Sequence, residues 1–476
     1  MARLLTPADF GVFAAAFTVI DFSEIFGLLG VGPAIVQREQ LEEKHVYTGF
    51  ASSMLFGLFL TALLWFLAPG IASFYQSDKL TSVLRVVVLV FPLNSLAVVG
   101  ESLMQRQLHF RKLIGIEVVA IAIGSGLVGI GTGLIGWGVW ALVAASLTKA
   151  TLRTGAILVM QPHSKKLRFD VQAFKELFSF GGGLTIGRIL NYFALQGDYL
   201  VVGRWLGMDA LGLYTRAYHL MGMISNLLGQ ALEKVLFPSM AKVQNEPERL
   251  AKAYKRGVAV IGLILLPISV SVWTLAPEVI TVLLGPGWSG AIVPFRILTV
   301  GVMFRASYKI SVALVGAKGA VYRNAWRQGV YATLVVAGAW IGQHWGISGV
   351  ALGVFVALIV HFLVMAQLAM TLLPLTWRQF WAVHLPAVWL AVIVGVEVWG
   401  VATFLRDLNV ASIFILVANA LVVPLSILLL IRFVPTYFWG SDGQWFLRLL
   451  LERLPDNIFF RPWRKRKVAR SPGSTD

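Results

Sequence analysis

An all-α polytopic membrane protein, built from two parallel helical lobes and two further C-terminal transmembrane helices, is the fold this sequence predicts. Three observations predict it. Of 476 residues, 58% are hydrophobic and only 13% charged, with a mean hydropathy of +0.77, which lies outside the range of soluble globular chains. Apolar stretches long enough to cross a hydrocarbon core of ~30 Å recur along the whole chain. The chain also contains one design twice. Arg3, Leu5, Phe10, Gly11, Val12 and Phe13 stand in register with Arg204, Leu206, Leu211, Gly212, Leu213 and Tyr214. Gly138 to Leu142 likewise matches Gly346 to Val350 at nearly the same offset, as duplicated helical bundles would.

Thirteen spans are expected, at about 8–31, 46–74, 82–104, 113–135, 137–160, 176–203, 209–238, 256–276, 290–316, 322–343, 347–373, 380–403 and 409–434. One set of loops collects Arg38, Lys44, Arg106, Arg111, Lys112, Lys165 to Arg168, Lys242 to Arg256, Lys318, Arg323, Arg378 and the C-terminal tail. The opposite set offers little beyond Arg3, Lys79, Arg204 and Arg406, so the positive-inside rule makes the first set cytoplasmic and puts Met1 outside. The second copy has a whole span before Arg204 whereas the first starts at Met1. The repeat therefore predicts one preceding helix, present in relatives, that this chain does not carry; with it restored the two bundles point the same way.

These readings divide the chain into an N-terminal lobe of five spans over 1–160, a linker over 161–175, a C-terminal lobe of six spans over 176–373, two additional helices over 374–435 and a tail over 436–476. The linker is basic and then amphipathic, with Phe174, Leu177 and Phe178 on one face, and is expected to lie along the inner surface. In the tail, Trp445, Phe446, Leu449 and Leu450 precede Arg464-Lys465-Arg466-Lys467, an anchor for anionic lipid or a solvated charged end. Glycines and prolines inside the spans, such as Gly124, Gly126, Pro92, Pro267 and Pro386, read first as close helix packing and tolerated kinks, and second as hinges.

Composition removes several functions. With no cysteine, disulfides and thiolate chemistry are excluded. The net charge of +17 is the ordinary excess of cations at cytoplasmic loops and anionic headgroups, so nucleic acid is not an expected partner. No phosphate-cradling Gly-x-x-x-x-Gly-Lys-Ser/Thr loop is present, the seven histidines lack ligand spacing, and no loop carries the acids an acceptor-activating enzyme needs. Neither an enzyme nor a cofactor is expected.

What remains is ionisable residues inside predicted spans, each costing about 2.5–3.5 kcal/mol at a helix centre on insertion scales. They include Asp21, Glu24, Glu117, Lys149, Arg153, Arg188, Asp198, Arg216, His219, Arg296, Arg305, Lys309 and Glu397, with cations in excess. Arg305 and Lys309 are four apart and Arg216 and His219 three apart, so each pair shares a helix face. One reading is a positively charged cavity for a multiply anionic ligand, with arginine gripping phosphate through paired N–H donors. The plainer one is pairing with acids on neighbouring helices, or snorkelling, which is expected for Arg153, Arg204 and Arg296 near span ends. Asp21 and Glu24, three apart, are candidates to carry a coupling proton or sodium ion, or else to pair with a base. Glu117 and Glu397 are read as single acids without a neighbour.

Several segments carry a family resemblance: Ala2 to Gly11, Ala34-Ile35-Val36-Gln37, Leu103-Met104-Gln105-Arg106, Ser179-Phe180-Gly181, Asp198 to Tyr218, Leu236-Phe237-Pro238 and Pro247-Glu248-Arg249. In their order and spacing the chain resembles the polysaccharide-transport branch of the multidrug/oligosaccharidyl-lipid/polysaccharide flippase superfamily, the Wzx-like O-antigen and exopolysaccharide flippases. The resemblance implies two six-helix lobes alternating between inward and outward openings in the bacterial cytoplasmic membrane. It implies a polyprenyl-pyrophosphate-linked oligosaccharide as substrate, surrounding membrane lipids, and a polysaccharide polymerase and chain-length regulator as partners. Cavity cations are its only transferable site, here Arg188 and Arg216, to which the spacing argument adds Arg305 and Lys309. A drug or small-molecule cation exporter of the same architecture is the alternative, and it calls for an acid-dominated cavity. A polysaccharide-assembling enzyme is a third, and it lacks a catalytic loop.

Overall fold

The computed structural model describes residues 1–27, 31–178, 182–433, 439–440, 442–445 and 447, with the backbone alone at 26–27, 182–186, 227–235, 237, 321 and 432. The sequence features Ser179-Phe180-Gly181, Phe446, Leu449, Leu450 and Arg464 to Lys467 lie outside the described residues.

The described secondary structure is helical, as expected. In chain order the helices are α1 (Pro7–Gly27), α2 (Val31–Gln37), α3 (Glu43–Phe74), α4 (Asp78–Val87), α5 (Val90–Arg106), α6 (Phe110–Ile121), α7 (Ile130–Leu134), α8 (Val139–Met160) and α9 (Val171–Phe178). Then follow α10 (Gly182–Val201), α11 (Gly207–Lys242), α12 (Pro247–Thr274), α13 (Ala276–Leu283), α14 (Ile292–Val300), α15 (Val302–Ala317), α16 (Val321–Gly342), α17 (Gly346–Leu372), α18 (Trp377–Asp407) and α19 (Ser412–Phe433). Among the described residues nine helical stretches are long and apolar enough to cross a membrane, Tyr322–Leu372 counting as one. They cover ten of the expected spans, and the other three fall on α1, α10 and α11. Of the span expected from residue 176, the described part falls on the end of α9 and on α10, and Glu176 belongs to the linker helix α9.

Local chemistry explains the helix starts. At α1, Pro7 occupies the first turn while Asp9 Oδ2 accepts from the Thr6 amide (3.1 Å) and hydroxyl (2.8 Å), and the Asp9 amide donates back to Thr6 Oγ1 (3.3 Å). The other Asp9 oxygen accepts from the Val139 amide at 3.1 Å, so one carboxylate serves the first turns of both α1 and α8. Thr376 and Gln379 form the equivalent reciprocal box at α18.

The internal repeat reappears as repeated contacts. Gly138 and Gly346, with φ +55° and +68°, each turn the chain into a long helix in a conformation that only glycine adopts without strain. Arg85 Nε reaches the Trp65 carbonyl at 3.5 Å with its guanidinium 4.3 Å from the ring centre, and Arg296 does the same to Trp273 at 3.2 and 5.5 Å. Arg106 donates to the carbonyls of Ile35 (3.1 Å), Val36 (3.3 Å), Arg38 and Glu39 (3.0 Å), closing the C-terminal end of α2, and Lys318 donates to Gln244 O at 2.6 Å.

The chain divides into two compact units. The first comprises Met1–His219, Leu283–Pro294 and Ala325–Ala357, and the second Leu220–Val282, Phe295–Asn324 and Leu358–Asp476. Within the first, linker helix α9 docks through Glu176, which accepts from Arg38 Nη2 at 2.6 Å and His45 Nε2 at 2.9 Å, while Leu177 joins the Val31, Ile35, Phe50 and Val99 core. The Glu42 amide donates to the other ring nitrogen, His45 Nδ1, at 3.1 Å, so the imidazole bridges the start of α3 and α9. Within the second unit, α12 and α18 pack closely, burying Leu263, Ala387, Leu390, Val394 and Val398, and Arg406 makes a two-pronged contact with Glu278 at 2.8 and 2.9 Å. Trp445 lies under the Arg256 guanidinium, 4.3 Å from ring centre to Cζ.

Candidate functional site

Arg216 is placed by a backbone crossing. A Cβ added to Gly11 would lie 1.8 Å from Met208 O, and one added to Gly212 would lie 1.8 Å from Pro7 O. These four residues are repeat-related, Pro7 to Met208 and Gly11 to Gly212, so α1 and α11 touch backbone to backbone at equivalent points. Only glycine permits that approach. One turn beyond Gly212, the guanidinium of Arg216 stands over Phe10, with Cζ 4.4 Å from the ring centre. Its Nε is buried without a hydrogen-bond partner, and among the described residues no carboxylate pairs with it. Phe10 is itself buried and meets Trp288 edge to face at 5.3 Å, and Trp288 Nε1 donates to Ala2 O at 2.8 Å. His219, three residues on, is exposed.

Asp21 and Glu24 line a cavity of about 620 Å³ inside the first unit. Asp21 Oδ2 accepts from Gln196 Nε2 and Glu24 Oε1 from Asn94 Nδ2, both at 3.2 Å. Neither is ion-paired among the described residues, so amides rather than bases satisfy them. The same lining carries an ion-pair chain in which Lys149 meets Glu117 at 2.7 Å and Arg153 spans Glu101 at 2.6 Å and Glu117 at 3.3 Å. Four acids thus face two bases, and this cavity carries a formal surplus of negative charge. The cation excess counted over all the spans thus does not extend to this cavity, where both bases are also committed to acids.

In the second unit, α15 carries Arg305, which is buried, and Lys309 one turn later, half-buried and donating to Asn226 Oδ1 at 3.0 Å. Arg188 lies half-buried on α10 in the first unit. A second cavity, of about 480 Å³, is lined almost wholly by apolar residues of α12, α13, α18, α19 and the segment beyond, Asn419 and Ser271 excepted.

Asp21 and Glu24 line one cavity, and Arg305 and Lys309 lie on one helix, α15. One residue reading is corrected: Arg153 pairs with two acids where snorkelling was expected. Glu117 pairs with Lys149 and Arg153, and Glu397 accepts from Ser426 Oγ at 2.6 Å. Arg204 and Arg296 instead cap carbonyls, at Phe74 O (2.8 Å) and Trp273 O. Sequence reasoning missed Glu101, Asn94, Gln196 and Phe10. Asn94 and Glu101, seven apart on one face of α5, carried a usable signal, whereas Phe10 looked like any core aromatic.

The family described as polysaccharide biosynthesis protein matches residues 1–293. The succinoglycan biosynthesis transport protein ExoT of Rhizobium meliloti (strain 1021) is 26% identical over 291 residues, covering 61% of this chain. That match spans 59% of the length of ExoT. The lipopolysaccharide biosynthesis protein WzxC of Escherichia coli (strain K12) is 23% identical over 370 residues, 76% of this chain and 74% of WzxC. Among solved structures, the lipid II flippase MurJ in an inward closed conformation is similar at a TM-score of 0.71, over 94% of this chain and 96% of MurJ. At 14% identity that likeness establishes the all-helical fold and no more. Since the family match covers more than half of its length, this multi-pass membrane protein belongs to the polysaccharide biosynthesis protein family.

Proposed function

We propose that this protein is a flippase that moves polyprenyl-pyrophosphate-linked oligosaccharide repeat units across the bacterial cytoplasmic membrane by alternating access, supplying O-antigen, capsule or exopolysaccharide assembly. The observation that carries the reading is Arg216, a guanidinium kept inside a helical membrane protein with no acid paired to it among the described residues. An intramembrane cation is costly, and a pyrophosphate-bearing ligand would neutralise it while accepting its paired N–H donors. In this reading Arg188, Arg216, Arg305 and Lys309 hold the charged head of the substrate, the isoprenoid tail stays in lipid, and Asp21 and Glu24 carry the coupling ion. A polymerase and a chain-length regulator take up the delivered units. The relatives named for succinoglycan transport and lipopolysaccharide biosynthesis support the substrate class.

The test is polymer export in a flippase-deficient cell complemented with Arg216→Ala, Arg305→Ala or Lys309→Ala at matched expression. Reduced export is expected from each, and full export by all three would reject the assignment. One observation favours the second reading, export of a cationic drug or other small molecule: the acid surplus of the 620 Å³ cavity. In that case the protein would confer drug resistance and would not restore polymer export.

A further inference from the structure

We propose that Phe10 is the positioning residue for Arg216, an aromatic platform that holds the guanidinium in place for the pyrophosphate. The proposal rests on the flippase reading and deepens it. Stacking on a ring uses the face of a guanidinium and leaves its N–H edge available, so the same group can lie over Phe10 and still donate to phosphate oxygens. An ion pair with a carboxylate would consume those donors. The ring therefore compensates part of the cost of keeping the charge at membrane depth without occupying the atoms that bind the substrate.

The platform is fixed from both sides. Gly11 and Gly212 bring α1 against α11, which puts the residue before Gly11 within reach of the side chain one turn after Gly212. Phe10 is 4% exposed and rests against Trp288, 2% exposed, which is tied by its indole N–H to Ala2 O at 2.8 Å. A ring held in this way does not turn aside when ligand arrives. The guanidinium above it is ordered in advance, so binding forfeits less side-chain freedom.

The experiment uses the purified full chain in nanodiscs and titrates a polyprenyl pyrophosphate. Phenylalanine at position 10 is exchanged for mono-, di- and trifluorinated phenylalanine, which keep the ring's shape while draining negative charge from its face. Phe10→Leu and Arg216→Ala are measured beside them. The expected result is a stepwise weakening with fluorine number, a loss of about 3- to 30-fold for Phe10→Leu, in line with a desolvated cation–π contact, and recovery to about wild-type affinity for Phe10→Tyr. Affinity independent of fluorination, with Arg216→Ala still weakened, would overturn the role of Phe10 and leave the flippase reading standing. Affinity unchanged in Arg216→Ala would overturn both. The fluorinated series decides the matter even where Phe10→Leu fails to fold.

Discussion

α1 and α11 begin alike and then part company. From Arg3/Arg204 to Gly11/Gly212 the two copies keep their register and meet at equivalent backbone points. Beyond the crossing the charges separate. The first copy has Ala15 where the second has Arg216, and the second has Gly222 and Ser225 where the first has Asp21 and Glu24. Duplication has been retained where two backbones must touch and abandoned where chemistry differs. The base that suits a phosphate went to one copy, and the acids that suit a small cation went to the other. In the first copy the acids face a cavity and amide partners; in the second the base faces an aromatic ring.

Breaking the shared part should have the largest effect. Gly11→Ala and Gly212→Ala each place a methyl group 1.8 Å from a carbonyl oxygen, and each is expected to cost about 1–3 kcal/mol, with loss of export. Because both act at one crossing, the double variant should cost less than the sum, which thermal unfolding in detergent will measure. Next come the divergent acids. Asp21→Asn and Glu24→Gln should leave unfolding temperature unchanged or raised, since an intramembrane carboxyl is removed, while transport loses its response to an imposed proton or sodium gradient. An unchanged gradient response would remove both from coupling.

Arg153→Ala tests whether the ion-pair chain is structural. Its partners are 29% and 40% exposed, so water screens the pairs and the expected loss is no more than about 1 kcal/mol. The smallest effect is expected at the linker. Hydrogen bonding from His45, and then the Arg38 charge, hold the Glu176 carboxyl below the usual carboxylate range. A lowered carboxyl pKa stabilises above its ordinary value, and that contribution fades as pH falls through the lowered one. Wild-type unfolding temperature should thus fall more steeply in acid than that of Glu176→Gln; parallel curves would show that the contact does not anchor α9.

Much of this architecture was legible because helix periodicity and span length are local properties. The described part of each expected span is mainly helical, and the Arg3/Arg204 register that revealed duplication reappears as a physical contact. Partnership across helices was not legible. Arg153 looked like a snorkelling residue because its acids, Glu101 and Glu117, stand 52 and 36 positions away on other helices. Phe10 is indistinguishable in sequence from Phe13 or Phe17, and only the crossing makes it the neighbour of Arg216. Gln196 and Asn94 carry no charge, so a search for ionisable residues passed over the groups that satisfy Asp21 and Glu24.

The most direct measurement compares two arginines of equal charge. Arg216 stands over a ring without a paired acid among the described residues, whereas Arg296 closes a helix carbonyl at Trp273. In proteoliposomes supplied with a polyprenyl-pyrophosphate-linked oligosaccharide, Arg216→Ala should lower the translocation rate about tenfold or more, the worth of a charged hydrogen bond to phosphate. Arg296→Ala should stay within about twofold of wild type. Equal rates for Arg216→Ala and wild type, or a larger loss in Arg296→Ala, would contradict the claim that the cation beside the α1–α11 crossing receives the substrate.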